Sequence, residues 1–171
     1  MRTILFMFFM LLVYLGLGTT IGLKWTVLLM ALVFFIMATL FVIKKEYYYK
    51  YITFVNPKYN EICDEKGEEF KNKNRRTNII CWYLMSILFL FQVAITRENR
   101  VLFEGMAGKD LILFLGIIML FSILIFFISM YILKKSKSNG EFVGYSVILG
   151  IAAAIILIVV MSIFVFSRIL H

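Results

Sequence analysis

Long apolar runs separated by polar segments dominate this chain. A helix needs roughly 20 mostly apolar residues to cross a hydrocarbon core about 30 Å thick. Barrel strands would alternate in polarity, and these runs do not. The pattern therefore predicts an all-α polytopic integral membrane protein, with about five transmembrane helices in a small bundle. The predicted spans are residues 4–22, 25–43, 79–95, 111–133 and 143–166.

The polar segments divide the chain into three parts. Residues 1–43 are predicted to form a transmembrane hairpin of helices 1 and 2, residues 44–77 a charged cytoplasmic loop with a helix, and residues 78–171 helices 3 to 5. The first run also resembles a secretory signal peptide, whose cleavage would leave four helices. It is longer than the usual h-region of about 7–15 residues, and no A-x-A-like site ends it.

The distribution of basic residues predicts the orientation. Lys and Arg in short loops favour the cytoplasmic side, and an inside amino terminus places thirteen of them inside and five outside. We therefore expect a multi-pass protein of the cell membrane with a cytoplasmic N-terminus and an extracytoplasmic C-terminus. The five outer residues are Lys24, Arg97, Arg100, Lys109 and Arg168.

The composition indicates lipid as the solvent. Hydrophobic residues make up 63% and charged residues 16%, whereas a soluble domain has about a quarter charged residues. The net charge of +8 is spread between the apolar runs, so it predicts contact with a bilayer whose inner leaflet is anionic and no nucleic-acid partner. Abundant Phe, Ile, Tyr, Lys and Asn are typical of a low-GC bacterium.

The spans offer little chemistry. No Asp, Glu, Lys, Arg or His lies deep within a predicted span, although such residues commonly mark proton relays and ion pathways. The two cysteines, Cys63 and Cys81, have no second ligand at metal spacing, and the only histidine is His171. We therefore predict no enzyme, catalytic residue, metal or cofactor. Gln92 is the most polar residue deep in a span, and is predicted to make an interhelical hydrogen bond or a substrate contact.

Small residues at four-residue spacing predict close helix packing, because they let backbones approach in a membrane. One stripe, Gly18 and Gly22, lies near the end of the first span. The other, Ser146, Gly150 and Ala154, follows one face of the fifth. Either stripe is a contact between helices of one chain or a seam between two copies.

The polar loop carries the remaining candidates. It begins with lysines and tyrosines over residues 44–51, which is typical of a membrane interface. A helical pattern from 59 to 76 would place five carboxylates on one face. That face is a solvated surface, a site for docking a partner, or a weak cation site. The carboxylates are Glu61, Asp64, Glu65, Glu68 and Glu69.

These patterns support three hypotheses about function. The first is a small non-enzymatic bacterial membrane protein acting through protein or lipid contacts, as an immunity protein against a toxin or bacteriocin or as an accessory subunit of a membrane complex. Only the general form of the chain resembles such proteins. The second is a small transporter or channel subunit that works as a homo-oligomer. The third, an enzyme using loop carboxylates on lipids, requires a base or metal that the sequence does not supply.

Overall fold

The chain folds into helices. The computed structural model describes residues 2–96, 98, 99 and 108–169, and these contain seven helices and no strand, which confirms the all-α prediction. Arg97, Arg100 and His171, which entered the topology and metal predictions, lie outside the described residues. The helices are α1 (Arg2–Thr20), α2 (Leu23–Ile43), α3 (Lys45–Val55), α4 (Pro57–Glu65), α5 (Glu68–Ile95), α6 (Gly108–Lys135) and α7 (Asn139–Ile169).

Five of these helices, α1, α2, α5, α6 and α7, are long and apolar enough to cross a membrane, as the hydropathy pattern predicted. Residues 44–67, which lie between α2 and α5, form the two short polar helices α3 and α4 instead. The chain divides into two compact units, Met1–Met119 and Leu120–His171, with the boundary inside α6.

Turn residues fix where the helices of the first unit begin. Gly22 and Gly67 have φ of +87° and +90° and precede α2 and α5, a conformation that a residue with a Cβ adopts only with strain. At the start of α4 the Asn56 side chain accepts a hydrogen bond of 3.1 Å from the Tyr59 backbone N–H, and Pro57 occupies the first helical position. Both features stabilise a helix N-terminus.

The pair formed by α2 and α5 holds the first unit together. Ala31 and Ala38 of α2 are fully buried. The buried Ser86 hydroxyl of α5 donates a 2.8 Å hydrogen bond to the Ala31 carbonyl, and Thr39 and Tyr83 share one of 3.1 Å between their hydroxyls. In a bilayer there is no hydrophobic driving force for helix association, because lipid tails are as apolar as the side chains. Close packing of small residues and interhelical hydrogen bonds therefore stabilise such a pair.

An aromatic cluster joins this pair to α3. Phe41, Tyr48 and Ile79 form its buried centre, with Tyr51 and Trp82 packed around them. The ring of Phe41 meets those of Tyr48 and Trp82 edge-on, with centroids 5.5 and 5.6 Å apart. Such edge-to-face pairs add to the stabilisation from area burial alone. α3 is therefore fixed at the C-terminal end of α2, against the middle of α5.

The N-terminal end of α1 meets the other end of α3. The Thr3 hydroxyl donates a 2.8 Å hydrogen bond to the Val55 carbonyl, which lies in the last turn of α3 and lacks a partner within its own helix. The Phe6 ring lies edge-on to the rings of Tyr51 and Phe54, with centroids 6.4 and 6.5 Å apart. The N-terminus of the chain is thus on the same side as the polar helices.

The second unit contains the C-terminal part of α6 and the whole of α7. Leu133 and Phe142 are buried there, on either side of the short connection between the two helices. The Glu141 backbone N–H donates to the Ser138 hydroxyl (3.2 Å), while the Glu141 carboxylate accepts from the Lys137 N–H (2.7 Å). This reciprocal arrangement resembles a capping box and fixes the start of α7.

Candidate functional site

The polar part of the chain is a folded structure rather than an open loop. We call α3, α4 and residues 68–79 of α5 the polar unit. Its inward-facing residues include Ile62 and Phe70, 7% exposed each, and Tyr48, 3% exposed. Tyr48 packs against Phe41 of α2 and Ile79 of α5, which gives the unit a defined position at the C-terminal end of α2.

A hydrogen-bonded cluster of Tyr48, Tyr59, Cys63, Asn74 and Asn78 connects the three helices of the polar unit. The Asn78 amide donates to the hydroxyls of Tyr48 (2.7 Å) and Tyr59 (3.3 Å). The Asn74 amide donates to the Tyr59 hydroxyl (2.7 Å) and to the Cys63 sulfur (3.4 Å). Two asparagines one helical turn apart on α5 therefore bind α3 and α4 together. We call these five residues the Tyr–Asn cluster.

Burial keeps the ionisable members of the Tyr–Asn cluster neutral. It raises the pKa of the Cys63 thiol to about 11 and that of the Tyr59 hydroxyl to about 12, and it also raises the pKa of Tyr48. The charged form of each group is disfavoured in these apolar surroundings. Only the thiolate of a cysteine is a good nucleophile, so Cys63 serves packing at neutral pH and is not activated for chemistry.

Arg75 links the polar unit to the end of α2. Its side chain is 7% exposed, and Nη1 donates a 2.9 Å hydrogen bond to the Phe41 carbonyl. That carbonyl lies in the last turn of α2, where no helical N–H reaches it and the helix dipole favours a cation. Within the described residues, Arg75 Nε and the buried Asn74 Oδ1 have no hydrogen-bond partner.

The five carboxylates predicted to share one helix face lie on two helices. Gly67, with its positive φ, ends the helical path that the sequence pattern continued from 59 to 76. The prediction of one continuous helix is therefore wrong, although α5 does run from Glu68 without a break into the third apolar span. Glu61, Asp64 and Glu65 belong to α4, and Glu68 and Glu69 to the first turn of α5.

Several of these carboxylates have structural roles. Asp64 forms an ion pair with Lys71, which raises the pKa of the lysine, and it accepts a 3.2 Å hydrogen bond from Asn60. Glu69 accepts a 2.7 Å hydrogen bond from Lys73 one turn later, which lowers the pKa of the carboxyl. Glu68 and Glu69 also lie where negative charge stabilises a helix N-terminus.

Glu61 and Glu65 remain as the outward-facing acidic pair. They are exposed and four residues apart, so they lie on the same side of α4, opposite the buried Ile62 and Cys63. Within the described part of the chain, no three His, Cys, Asp or Glu side chains converge in a way that would hold a metal ion. The arrangement is suited to surface contact.

The two predicted small-residue stripes differ in position and exposure. Gly18 is buried, whereas Gly22 lies beyond the end of α1 and occupies the turn, so the prediction that the two share a helix face is wrong. Gly150 and Ala154 are exposed on α7. A Cβ at Gly150 would meet no described atom within 4 Å.

Gln92 is exposed on α5. The described residues give its side chain no interhelical hydrogen bond; its backbone carbonyl accepts one of 2.7 Å from the Thr96 hydroxyl. Between α2 and α5 that role belongs to Ser86 and to the Thr39–Tyr83 pair. Sequence reasoning missed the Tyr–Asn cluster and Arg75, although asparagines at 74 and 78 beside an arginine offered a signal in their helical spacing.

Comparison of the chain with protein-family models, curated proteins and solved structures found no match.

Proposed function

We propose that this chain is a small non-enzymatic protein of a bacterial cell membrane that acts through a protein contact made by the polar unit. Its role would be that of an immunity protein against a membrane-active toxin or of an accessory subunit in a membrane complex. The observation that carries the proposal is the exposed pair Glu61 and Glu65 on a helix that the Tyr–Asn cluster holds in a fixed position. Such preorganisation lowers the entropic cost of binding.

The charge of the two short helices favours a protein as the partner of α4. Lys44, Lys45 and Lys50 are exposed beside and along α3, and lysines at a span end are attracted to anionic headgroups. Carboxylates on α4 are repelled by the same headgroups. We therefore assign α3 to the lipid surface and α4 to a partner with a basic surface.

The proposal places the polar unit and the N-terminus in the cytoplasm and the C-terminus outside the cell. Its support is the excess of inner over outer basic residues, thirteen to five. The hydrogen bond from Thr3 to Val55 keeps the N-terminal end of α1 on the side of the polar unit. Reporter fusions to the two termini test this orientation; activity of an extracytoplasmic reporter at the N-terminus would contradict it.

Charge reversal tests the contact. The double variant Glu61→Lys/Glu65→Lys should weaken copurification of a stoichiometric partner about tenfold, because exposed charge pairs contribute up to about 1 kcal/mol each. Glu46→Lys is the matched control, since Glu46 is an exposed carboxylate on α3 rather than α4. Equal loss in the control, or no partner with the unaltered chain, would count against a contact through α4.

The immunity role makes a further demand. Expression of the unaltered chain in cells sensitive to the cognate toxin should protect them, and the double reversal should remove most of that protection while Glu46→Lys retains it. Equal killing with and without the chain would eliminate the immunity role and leave that of an accessory subunit.

An oligomeric transporter or channel subunit is the second candidate. Gly150 and Ala154, which are exposed on one face of α7, favour it, because small residues let a second copy approach closely. Ser146 of the same stripe is only partly exposed, and its hydroxyl is buried. Gly150→Leu should then disrupt an oligomer and abolish solute flux in liposomes. Gly144→Leu is the control, since Gly144 is also exposed on α7 but lies off the stripe. A monomer without flux would eliminate this candidate.

A further inference from the structure

A cavity lies at the hairpin between α6 and α7, within the second unit. Its volume is about 270 Å³, and its lining residues are Tyr131, Ile132, Lys135, Ser136, Glu141 and Tyr145. None of these residues contributes to the polar unit. The cavity is therefore separate from the contact surface proposed on α4.

The position of the cavity along the helices indicates lipid. The apolar part of α6 ends at Lys135, and that of α7 starts from Asn139. Tyr131 and Tyr145 are 64% and 50% exposed beside the cavity. Tyrosines and lysines at the end of an apolar span lie at the depth of the lipid headgroups, so a headgroup is the chemical species that this cavity meets.

The cavity wall carries both signs of charge. Lys135 Nζ lies 5.7 Å from the centroid of the Tyr131 ring. The Glu141 carboxylate is held in place by the 2.7 Å hydrogen bond from the Lys137 N–H, and Ser138 receives the Glu141 N–H on the other side of the cap. A cation and a fixed carboxylate thus line one small cavity, and they are complementary to a ligand with a phosphate and an ammonium group.

We infer that the α6–α7 hairpin binds the headgroup of an aminophospholipid, with its phosphate on Lys135 and its primary ammonium on Glu141. A primary ammonium donates hydrogen bonds to a carboxylate, whereas a quaternary one donates none. An anionic headgroup without an ammonium group can place its phosphate on Lys135, but it is repelled by the Glu141 carboxylate. The site therefore selects phosphatidylethanolamine over phosphatidylcholine and phosphatidylglycerol.

Lipid titration of the full chain by native mass spectrometry tests this site. The chain in detergent micelles should bind one phosphatidylethanolamine about fivefold more tightly than phosphatidylcholine or phosphatidylglycerol with the same acyl chains. The first competitor lacks the hydrogen bonds to Glu141 and the second lacks the charge contact, and each loss is expected to cost about 1 kcal/mol. Equal affinity for the three lipids would overturn the inference. Glycerophosphoethanolamine, the headgroup without acyl chains, should compete weakly; competition equal to that of the intact lipid would assign the cavity to a soluble ligand instead.

Two variants separate the contributions of the charges. Lys135→Gln should weaken binding of all three lipids about fivefold, whereas Glu141→Gln should remove only the preference for phosphatidylethanolamine, since the amide oxygen can still accept the Lys137 N–H. Lys134→Gln is the control, because Lys134 adjoins Lys135 but does not line the cavity. An equal effect in the control would show general attraction to charge and overturn the site. If Glu141→Gln loses helical content, the comparison of lipid binding by Lys135→Gln and by Lys134→Gln tests the site without that variant.

This lipid site and the protein contact at α4 fail independently. Partner copurification should be unchanged in Lys135→Gln, and headgroup selectivity unchanged in Glu61→Lys/Glu65→Lys. If only the headgroup selectivity is absent, the lipid site is wrong. If only the partner copurification is absent, the protein contact at α4 is wrong.

Discussion

At the scale of single residues, asparagine side chains hold the turns of this protein in place. Asn99 accepts a 3.1 Å hydrogen bond from the Lys24 N–H and donates one of 2.7 Å to the Ile21 carbonyl. Both partners flank Gly22, and a Cβ there would lie 2.6 Å from Asn99 Cγ. One asparagine thus bridges the turn between α1 and α2, and only glycine leaves room for it.

Gly22→Ala should therefore destabilise the protein for two reasons. An alanine at this positive φ with extended ψ costs about 1–3 kcal/mol, and displacement of Asn99 removes two hydrogen bonds of about 0.5–1.5 kcal/mol each. Gly67→Ala is the matched control, because its φ is +90° but a Cβ there meets nothing within 4 Å. The free energy of unfolding, measured by denaturant titration in micelles, should fall more for Gly22→Ala than for Gly67→Ala. Equal losses would mean that Asn99 contributes nothing.

Cys63 should resist alkylation in the folded protein. Its pKa is raised to about 11 by burial, which is two units above the ordinary value of 9.0. At pH 8 the thiolate population should be about a hundredfold below that of a free thiol, and it should rise about tenfold per pH unit up to the pKa. A water-soluble maleimide measures this rate in a Cys81→Ser background. Modification at the rate of a free thiol without unfolding would contradict the buried position of Cys63.

The same shift has a consequence for stability. Because the folded state holds the Cys63 proton more tightly than the unfolded state, its contribution is fully present below the unfolded pKa near 9 and is lost as pH rises toward 11. Tyr59 acts in the same direction at higher pH, since burial raises its pKa to about 12. The polar unit is expected to loosen in strong alkali before the apolar helices do.

At the scale of elements, α2 and α5 form the part of the first unit on which the rest depends. Their contact uses Ala31 and Ala38 at seven-residue spacing, with the Ser86 hydroxyl bonded to the backbone opposite. The separation of the two helices is therefore set by small side chains. A larger residue at this contact should also disturb the packing of α3. Phe41 of α2 and Ile79 of α5 pack against Tyr48 of α3, so moving α2 and α5 apart moves the residues that hold α3.

Ala31→Leu should cost about 1–3 kcal/mol of stability through overpacking, whereas Ser86→Ala should cost only about 0.6 kcal/mol, the average for interhelical hydrogen bonds in a membrane. Ala152→Leu provides the control, since Ala152 is exposed on α7. Unfolding in mixed micelles measures the three values. A cost for Ala31→Leu as small as that of the control would contradict a close α2–α5 contact.

The hydropathy pattern predicted the apolar part of α5 but not its start. Residues 68–78 are mostly polar, so the apolar run begins only near Ile79. In the structure Asn74 and Arg75 are buried beside Phe70, and a buried face that contains an amide and a guanidinium has no apolar periodicity to detect. The same limitation concealed the Tyr–Asn cluster.

Turn chemistry caused the second difference. Gly18 and Gly22 are four residues apart within an apolar run, which is the spacing of one helix face. Their spacing does not reveal that α1 ends at Thr20, a stop set by the positive φ of Gly22 and the hydrogen bonds of Asn99. Asn99 is 77 positions further along the chain, so no local pattern contains that information.

At the scale of the whole molecule, the sequence predicted the class and the five apolar helices because their length and composition follow from the bilayer itself. It did not predict which polar residues turn inward. The fold separates the loop carboxylates into Asp64 and Glu69, which pair with lysines, Glu68 in the first turn of α5, and the outward pair Glu61 and Glu65. The proposed function depends on that separation, which only the packing of α4 against α5 produces.

The proposed function rests on α4 presenting a contact surface to a protein. Photocrosslinking in living cells tests it most directly, with a photoreactive amino acid placed at position 61, position 65 or, as the control, position 46. We expect positions 61 and 65 to form an adduct with the same single protein and position 46 to form none with it. Adducts at position 46 alone, or no protein adduct at positions 61 and 65, would contradict the proposed role of α4.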